Sequence, residues 1–283
     1  MKNIEWADQT WNPLRGCANR CWANDHHPEG NCYAAAMARR NLGDVYGCAQ
    51  CSDQLRIHFH PERLDEPRHW RKPRWVFCGS MTDLWTDEPP IQLEYWRHQI
   101  FEVMAATPQH DYIILTKRPD RIRFDEMWMQ QGLSHWDGAN LVIGVSVTKQ
   151  DETHRIQTLL YKLHKFQREV PDRINFRPRI AVSFEPLLEF QCFDGLEYVI
   201  PDLDWVIVGA ATGYVKRMYA AQDVSFAANQ IVSEAHRRDI PVFVKPALEP
   251  QLPVHWRQLR QHPARKEVKE CSDGSAVPNT KSP

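Results

Sequence analysis

A short apolar run that passes at once into small or polar residues recurs six times along this chain. Trp75-Val76-Phe77-Cys78 leads into Gly79-Ser80-Met81-Thr82-Asp83, and Tyr112-Ile113-Ile114-Leu115 into Thr116-Lys117-Arg118-Pro119. Leu141-Val142-Ile143 leads into Gly144-Val145-Ser146-Val147, and Ile180-Ala181-Val182 into Ser183-Phe184-Glu185-Pro186. Trp205-Val206-Ile207-Val208 leads into Gly209-Ala210-Ala211-Thr212-Gly213, and Val242-Phe243-Val244 into Lys245-Pro246. Runs this short and continuously apolar suit strands buried on both faces, as in parallel sheets. The stretches between them have room for helices, most clearly at 91–107 and 220–238 and also at 119–131 and 151–168. Alternating strands and helices predict an α/β fold with a parallel sheet. With a seventh strand expected near the cysteine-rich start, the expected architecture is a TIM-like (β/α) barrel, complete or partial.

In such a barrel every strand points its C-terminal end at one face, where active sites form. The polar residues here follow the apolar runs rather than precede them, so they are expected to converge there. Lys117, Glu185 and Lys245, with Arg118, are the ionisable candidates. A cation pair suits a carboxylate or a phosphate, and Glu185 suits an ammonium or a ribose hydroxyl. A buried Lys–Glu ion pair that only holds the barrel together is the structural alternative. Gly79, Ser80 and Met81 let backbone approach a ligand closely, and Asp83 adds a carboxylate; a tight strand-to-helix turn explains the same residues without a ligand. Ser146, Ser183 and Gly209 complete the candidate binding set.

The cysteines carry the strongest chemical pattern: Gly16-Cys17, then Cys21, then Cys32-Tyr33-Ala34. Three thiolates hold three irons of a [4Fe-4S] cluster and leave the fourth open for a ligand. The same residues, with a histidine from His26-His27, also match the donor set of a structural zinc site. Cys48 and Cys51, followed by His58 and His60, form a second group that suits zinc, a second cluster or no metal. Cys78 and Cys192 have apolar neighbours and are expected in the core, whereas Cys271 lies in the polar C-terminal stretch.

Taken together, Ile4-Glu5-Trp6, Thr10-Trp11-Asn12-Pro13, Gly16-Cys17, Cys32-Tyr33-Ala34, Gly79-Ser80-Met81-Thr82-Asp83-Leu84, Leu115-Thr116-Lys117-Arg118-Pro119, Gly144-Val145-Ser146, Ser183-Phe184-Glu185-Pro186-Leu187 and Phe243-Val244-Lys245 resemble the landmarks of a phage-associated radical S-adenosylmethionine (SAM) family. The three-cysteine start is similar to the family's C-x3-C-x2-C, with the difference that residues 22–31 separate Cys21 from Cys32. The resemblance implies a radical SAM type barrel, a [4Fe-4S] cluster on Cys17, Cys21 and Cys32, and SAM as cofactor. It places Gly79, Ser80, Met81 and Asp83 near the methionine end of SAM, Ser146 and Ser183 near ribose or carboxylate, and the Gly209 segment near adenine. It also implies a role in phage DNA thymine hypermodification, as an isomerase that converts a glycine-modified thymidine from nitrogen-linked to carbon-linked. The partners would be a modified thymine base in DNA or a nucleotide, and an electron donor such as flavodoxin or ferredoxin. A DNA repair lyase similar to spore photoproduct lyase is the alternative enzyme. A zinc-stabilised phage binding protein without catalysis is the alternative outside enzymes.

The remaining bounds are broad. The chain has 283 residues and a formal net charge of −1, which argues against a large basic face gripping duplex DNA. No apolar run reaches the ~18 residues of a membrane span, and a cytoplasmic setting is expected. The expected layout is a barrel over 1–250, with a cysteine-rich insertion at about 43–60. A polar tail would follow over 251–283.

Overall fold

The computed structural model describes residues 4–17, 57–86, 92–124, 133, 135–169, 176–188, 200–211 and 224–265. Seven strands form one sheet: β1 (Gln9–Trp11), β4 (Trp75–Cys78), β5 (Asp111–Thr116), β6 (Leu141–Ser146), β7 (Arg179–Leu187), β8 (Trp205–Ala210) and β9 (Val242–Val244). Every pairing in it is parallel, and spatial order follows chain order from β1 to β9. The sheet curls into an open half-barrel in which β1 and β9 are the edges. This is the partial form of the expected barrel, and the strand near the cysteine-rich start is β1.

Side chains alternate across each strand, and both faces are covered. Val76, Tyr112, Ile143, Val182, Val206 and Val242 belong to one apolar cluster with the helices. Trp75, Ile113, Val142, Ala181, Trp205, Ile207 and Phe243 form a second cluster with Trp6 and Ala7 inside the curl. Burial on two sides is why the strands read as unbroken apolar runs.

The helices lie where the sequence pattern has room for them: α1 (Leu93–Ala106), α2 (His154–Glu169) and α3 (Ser225–Arg237). In α2, Ile156, Leu159, Leu160, Leu163 and Phe166 are buried; this spacing makes one helical stripe facing the sheet. The 119–131 stretch begins with a 3-10 turn at Pro119–Arg121, and residues 125–132 lie outside the described residues.

Two smaller features position the site. β2 (Leu14–Arg15) pairs antiparallel with β3 (His58–Phe59), so the chain returns beside β1 after the cysteine-rich stretch. Residues 251–265, expected to begin a polar tail, include a segment packed against the N-terminal end of the sheet. There Trp205 Nε1 donates to the Gln261 carbonyl at 2.9 Å, Arg179 donates to the Ala264 carbonyl at 3.0 Å, and the His262 ring sits 4.9 Å from Trp75. Residues 266–283 lie outside the described residues. Among the described residues no helix is long and apolar enough to cross a membrane.

Candidate active site at the barrel mouth

The C-terminal strand ends gather the polar residues into three linked groups. The first lies after β4. Gly79 has φ +84°, and a Cβ there would come 2.8 Å from Leu84 Cδ1, so glycine satisfies both the turn and the packing. Its N–H donates to the Trp11 carbonyl at 3.1 Å, and the Gly16 N–H donates to the Met81 carbonyl at 3.2 Å. Asn12 holds the turn from the other side. Its Oδ1 accepts from Ser80 Oγ at 3.1 Å and from the Met81 N–H at 3.3 Å. Thr82 Oγ1 donates to the Gly16 carbonyl, and the half-buried Cys17 places its sulfur 3.6 Å from Thr86 Oγ1. Cys17 is thus set against the β4 turn, on the same rim as Gly79–Thr86.

Asp83, expected to offer a carboxylate to a cofactor, is buried and accepts bonds from the chain itself. Oδ1 takes the Trp85 N–H at 3.0 Å and Thr116 Oγ1 at 2.7 Å; Oδ2 takes the Lys117 N–H at 2.9 Å. Thr116 Oγ1 in turn accepts the Arg118 N–H at 2.9 Å. A carboxylate spread over three donors fixes the end of β4 to the end of β5, and so fixes where Lys117 and Arg118 start.

The second group lies at β6. Ser146 and Ser183 are register partners, and the buried Ser183 passes its carbonyl to the Val147 N–H at 2.9 Å. Arg155 donates to the Ser146 carbonyl at 2.9 Å and pairs with Glu152 at 2.9 Å. Burial opposes ionisation of Glu152. The backbone and hydroxyl donors of Thr148, the Arg155 charge and the Lys117 charge outweigh it and hold the carboxyl below its usual range.

The third group is charged and lies on the inner face. Lys245 Nζ sits between Glu185 Oε1 and Glu5 Oε2, the latter at 2.8 Å, and Trp6 Nε1 donates to Glu185 Oε2 at 3.2 Å. The Lys245 side chain is 17% exposed, Glu185 25% and Glu5 45%, so the cluster reaches from the interior to the mouth. Gly209 makes room: a Cβ there would lie 2.8 Å from Lys245 Cδ and 3.1 Å from Glu185 Cγ. Burial works against the Lys245 charge, but Glu185 and Glu5 outweigh it and raise its pKa above the ordinary value. Lys245 is therefore a fixed cation rather than a base. The ion pair anticipated as the structural alternative is present, and two carboxylates around one ammonium leave the group with excess negative charge.

Sequence reasoning named Glu185 and Lys245 as candidates but gave Glu5 and Trp6 no role, although Ile4-Glu5-Trp6 was among its landmarks. Trp11-Asn12-Pro13 is expected from the sequence to shape the loop before Cys17 rather than to perform chemistry, whereas Thr86 and Glu152 carry no expectation. Cys21, Cys32, Cys48, Cys51, Cys192, Cys271, Thr212 and Gly213 lie outside the described residues. Among the described residues no group of three or more His, Cys, Asp or Glu side chains is placed to hold a metal. Cys78 is core: it is buried, and burial pushes its thiol pKa up.

These features define an open parallel β/α barrel whose mouth is charged and, among the described residues, carries one thiol on its rim. The chain belongs to the family described as "Protein of unknown function (DUF5131)", whose model matches residues 1–251. No curated protein matches it. Among solved structures it is similar to a cysteine-to-serine mutant of spore photoproduct lyase, at 9% identity and TM-score 0.46 over 86% of this chain and 78% of that one. It is also similar to a double mutant of spore photoproduct lyase with bound AdoMet and dinucleoside spore photoproduct, at 10% identity and TM-score 0.45 over 83% of this chain and 75% of that one.

Proposed function

We propose that this chain is a radical SAM enzyme, with Cys17, Cys21 and Cys32 holding a [4Fe-4S] cluster and SAM lying across the barrel mouth. The observation that carries the reading is the place of Cys17. The first cysteine of the Cys17…Cys21…Cys32 series is on the C-terminal rim, half-buried, beside the positive-φ turn at Gly79. A half-buried rim thiol can serve as a soft ligand, whereas the buried Cys78 behaves as core. Gly209 lets the Lys245 and Glu185 side chains pack closely against β8, which keeps their charged ends together at the mouth.

When bound, the cluster and SAM together would supply a 5′-deoxyadenosyl radical able to take hydrogen from an unactivated carbon. The chain's own residues do the rest. Gly79, Ser80 and Met81 offer a backbone surface braced by Asn12. Ser146, Ser183 and Gly209 line the curl with small side chains. Glu185 accepts a hydrogen bond from the bound molecules, and Lys245 pairs with Glu185 Oε1. Lys117 and Arg118, fixed by Asp83 and Thr116, are the cations for a substrate carboxylate, a role that Lys245 gives up by pairing with Glu185 and Glu5. The substrate we assign is a glycine-modified thymine in phage DNA or its nucleotide, isomerised from nitrogen-linked to carbon-linked in the host cytoplasm. A flavodoxin or ferredoxin would supply the electron.

Anaerobic reconstitution with iron and sulfide, followed by assay for 5′-deoxyadenosine with SAM and a reductant, tests this reading. About four irons and four sulfides per chain with 5′-deoxyadenosine formation is the expected result. Stoichiometric zinc with no 5′-deoxyadenosine would overturn it in favour of a zinc-stabilised binding protein.

A further inference from the structure

Ile4-Glu5-Trp6 precedes the first strand, and the proposed chemistry uses Glu5 of it but not Trp6. The Ala7 N–H donates to the Ile4 carbonyl at 3.0 Å, so residues 4–7 turn just before β1. That turn sends Trp6 into the curl, where it is 2% exposed, 4.7 Å from the Phe77 ring and 6.0 Å edge-on from Trp205. The carbonyl and the indole N–H of Trp6 serve different partners. Its carbonyl meets His262 Nε2 at 3.0 Å in the segment packed at the N-terminal end. A carbonyl only accepts, so the imidazole proton is on Nε2. Its indole N–H donates to Glu185 Oε2 at the mouth.

A glutamate carboxylate turns easily about its last bond, because that torsion is broad and two-fold. Here each oxygen of Glu185 has its own donor: Lys245 on Oε1 and the Trp6 indole on Oε2. Two donors in different directions hold the carboxylate plane. Lys245 is then held between that plane and Glu5, with its chain packed against Gly209. The buried indole N–H needs an acceptor, and it takes one on the charged group at the mouth rather than a nearby carbonyl.

We propose that Trp6 is a positioning residue of the barrel mouth. Its indole N–H fixes the orientation of Glu185, and through it Lys245, while His262 holds Trp6 from the opposite end. The proposal rests on the reading that Glu185 and Lys245 face bound SAM or substrate.

The test uses the full chain. Trp6→Phe keeps a ring against Phe77 and Trp205 and removes only the indole and its N–H. In 1H–15N spectra it also identifies the Trp6 indole among the 11 tryptophans, by the one resonance it removes. Glu185→Gln should then move that indole proton upfield in the otherwise wild-type chain, because a charge-assisted bond becomes a neutral one. Trp6→Phe should keep a cooperative melt and the KM for SAM while lowering kcat for 5′-deoxyadenosine formation about tenfold, which is ~1.4 kcal/mol. His262→Phe, which keeps the ring stack and loses the donor, should lower kcat in the same direction by less. An indole resonance that stays in place in Glu185→Gln, or a wild-type kcat in Trp6→Phe, overturns the proposal. If wild type makes no 5′-deoxyadenosine, the radical SAM reading fails, and the indole resonance still decides whether Trp6 holds Glu185.

Discussion

The two ends of the barrel are built from similar residue types and do opposite things with them. At the N-terminal end, Asp111 is bound by both Arg179 and Arg265, and the two guanidinium groups lie 5.1 and 5.8 Å from the centre of the Trp75 ring. His262 packs among Trp75, Trp205 and Phe243, with ring centroids 4.9, 5.1 and 5.6 Å away. Large rings fill the space, and the chain's own C-terminal segment takes up the donors. At the C-terminal end the interior positions are Gly144, Ser183 and Gly209, and the Lys245 cluster opens outward through the half-exposed Glu5. Both ends match charge within the chain, but the closed end covers it with rings, whereas the mouth leaves Glu185 and Glu5 25% and 45% exposed. This contrast, more than the identity of any single residue, is why we propose the mouth as the working end.

The largest expected effect is at the closed end. Asp111→Ala leaves two guanidinium groups, one of them 2% exposed, without their carboxylate. Breaking a buried pair from one side should lower the unfolding free energy by about 3–5 kcal/mol. Urea denaturation measures this, and a loss under about 1 kcal/mol would show that the closed end is not a structural lock. Lys245→Met at the mouth should behave differently. Its partners are 25% and 45% exposed, so water compensates them, and stability should fall by no more than about 1 kcal/mol. The same variant should strongly reduce 5′-deoxyadenosine formation at unchanged iron content. A large stability loss with intact activity would reverse the assignment of the two ends.

Gly144→Ala and Gly209→Ala sharpen the comparison within the mouth. A Cβ at Gly144 would lie 2.9 Å from the Ala181 carbonyl oxygen, which is sheet backbone and cannot yield. About 1–3 kcal/mol of overpacking strain should appear as a lower denaturation midpoint. A Cβ at Gly209 instead meets the flexible Lys245 side chain, 2.8 Å away at Cδ. The lysine can shift, so stability should change by less than at Gly144, while SAM or substrate binding weakens. Equal stability losses at the two glycines would mean that the Lys245 cluster is as rigid as the sheet.

The strands were legible because each apolar run is buried on two faces and needs no partner information to be seen. Their ends were less so. The run Ile180–Val182 grew into a strand ending at Leu187, because pairing with β8 continues past the last apolar residue and carries Ser183 and Glu185 with it. Glu185 falls in the register irregularity between Phe184 and Leu187, and its side chain meets Lys245 and Trp6. The roles of Glu5 and Trp6 were not legible, since their partners lie far along the chain, as Trp6 and Glu185 do at a separation of 179 residues. Nor was the segment around His262. Its residues are polar by composition, and only the aromatic and acidic groups gathered at the closed end make it a packed element. The cysteine motif points to a metal site from spacing alone, and Cys17 is its one member among the described residues.

The smallest expected effect is also the one that separates the two ends by sign. His110 immediately precedes β5 at the closed end and is fully buried, with Nε2 3.1 Å from the Pro67 carbonyl. Burial lowers its pKa, and the charges of Arg74 and Arg265 push the same way, against the Pro67 contact and Asp111. The unfolded chain then takes up a proton near the ordinary value of 6.5 while the folded chain does not. More protons bound in the unfolded state means that stability falls as pH falls through and below that value. Lys245 at the mouth works in the other direction. Its folded pKa is raised above the ordinary 10.5, so its contribution is complete below 10.5 and is lost as pH rises through the folded value. Cys78 and Tyr112, whose ionisation burial opposes, weaken the fold on the same alkaline side. The Lys245 share is therefore the difference between wild type and Lys245→Met, measured by urea denaturation from pH 9 to about 11. His110→Gln should flatten the slope between about pH 7 and 5 and leave the alkaline side alone. Lys245→Met should do the reverse. If either substitution flattens both sides, the two ends are coupled through the barrel more tightly than the Trp6 path alone allows, and the division between a locked end and a working end has to be redrawn.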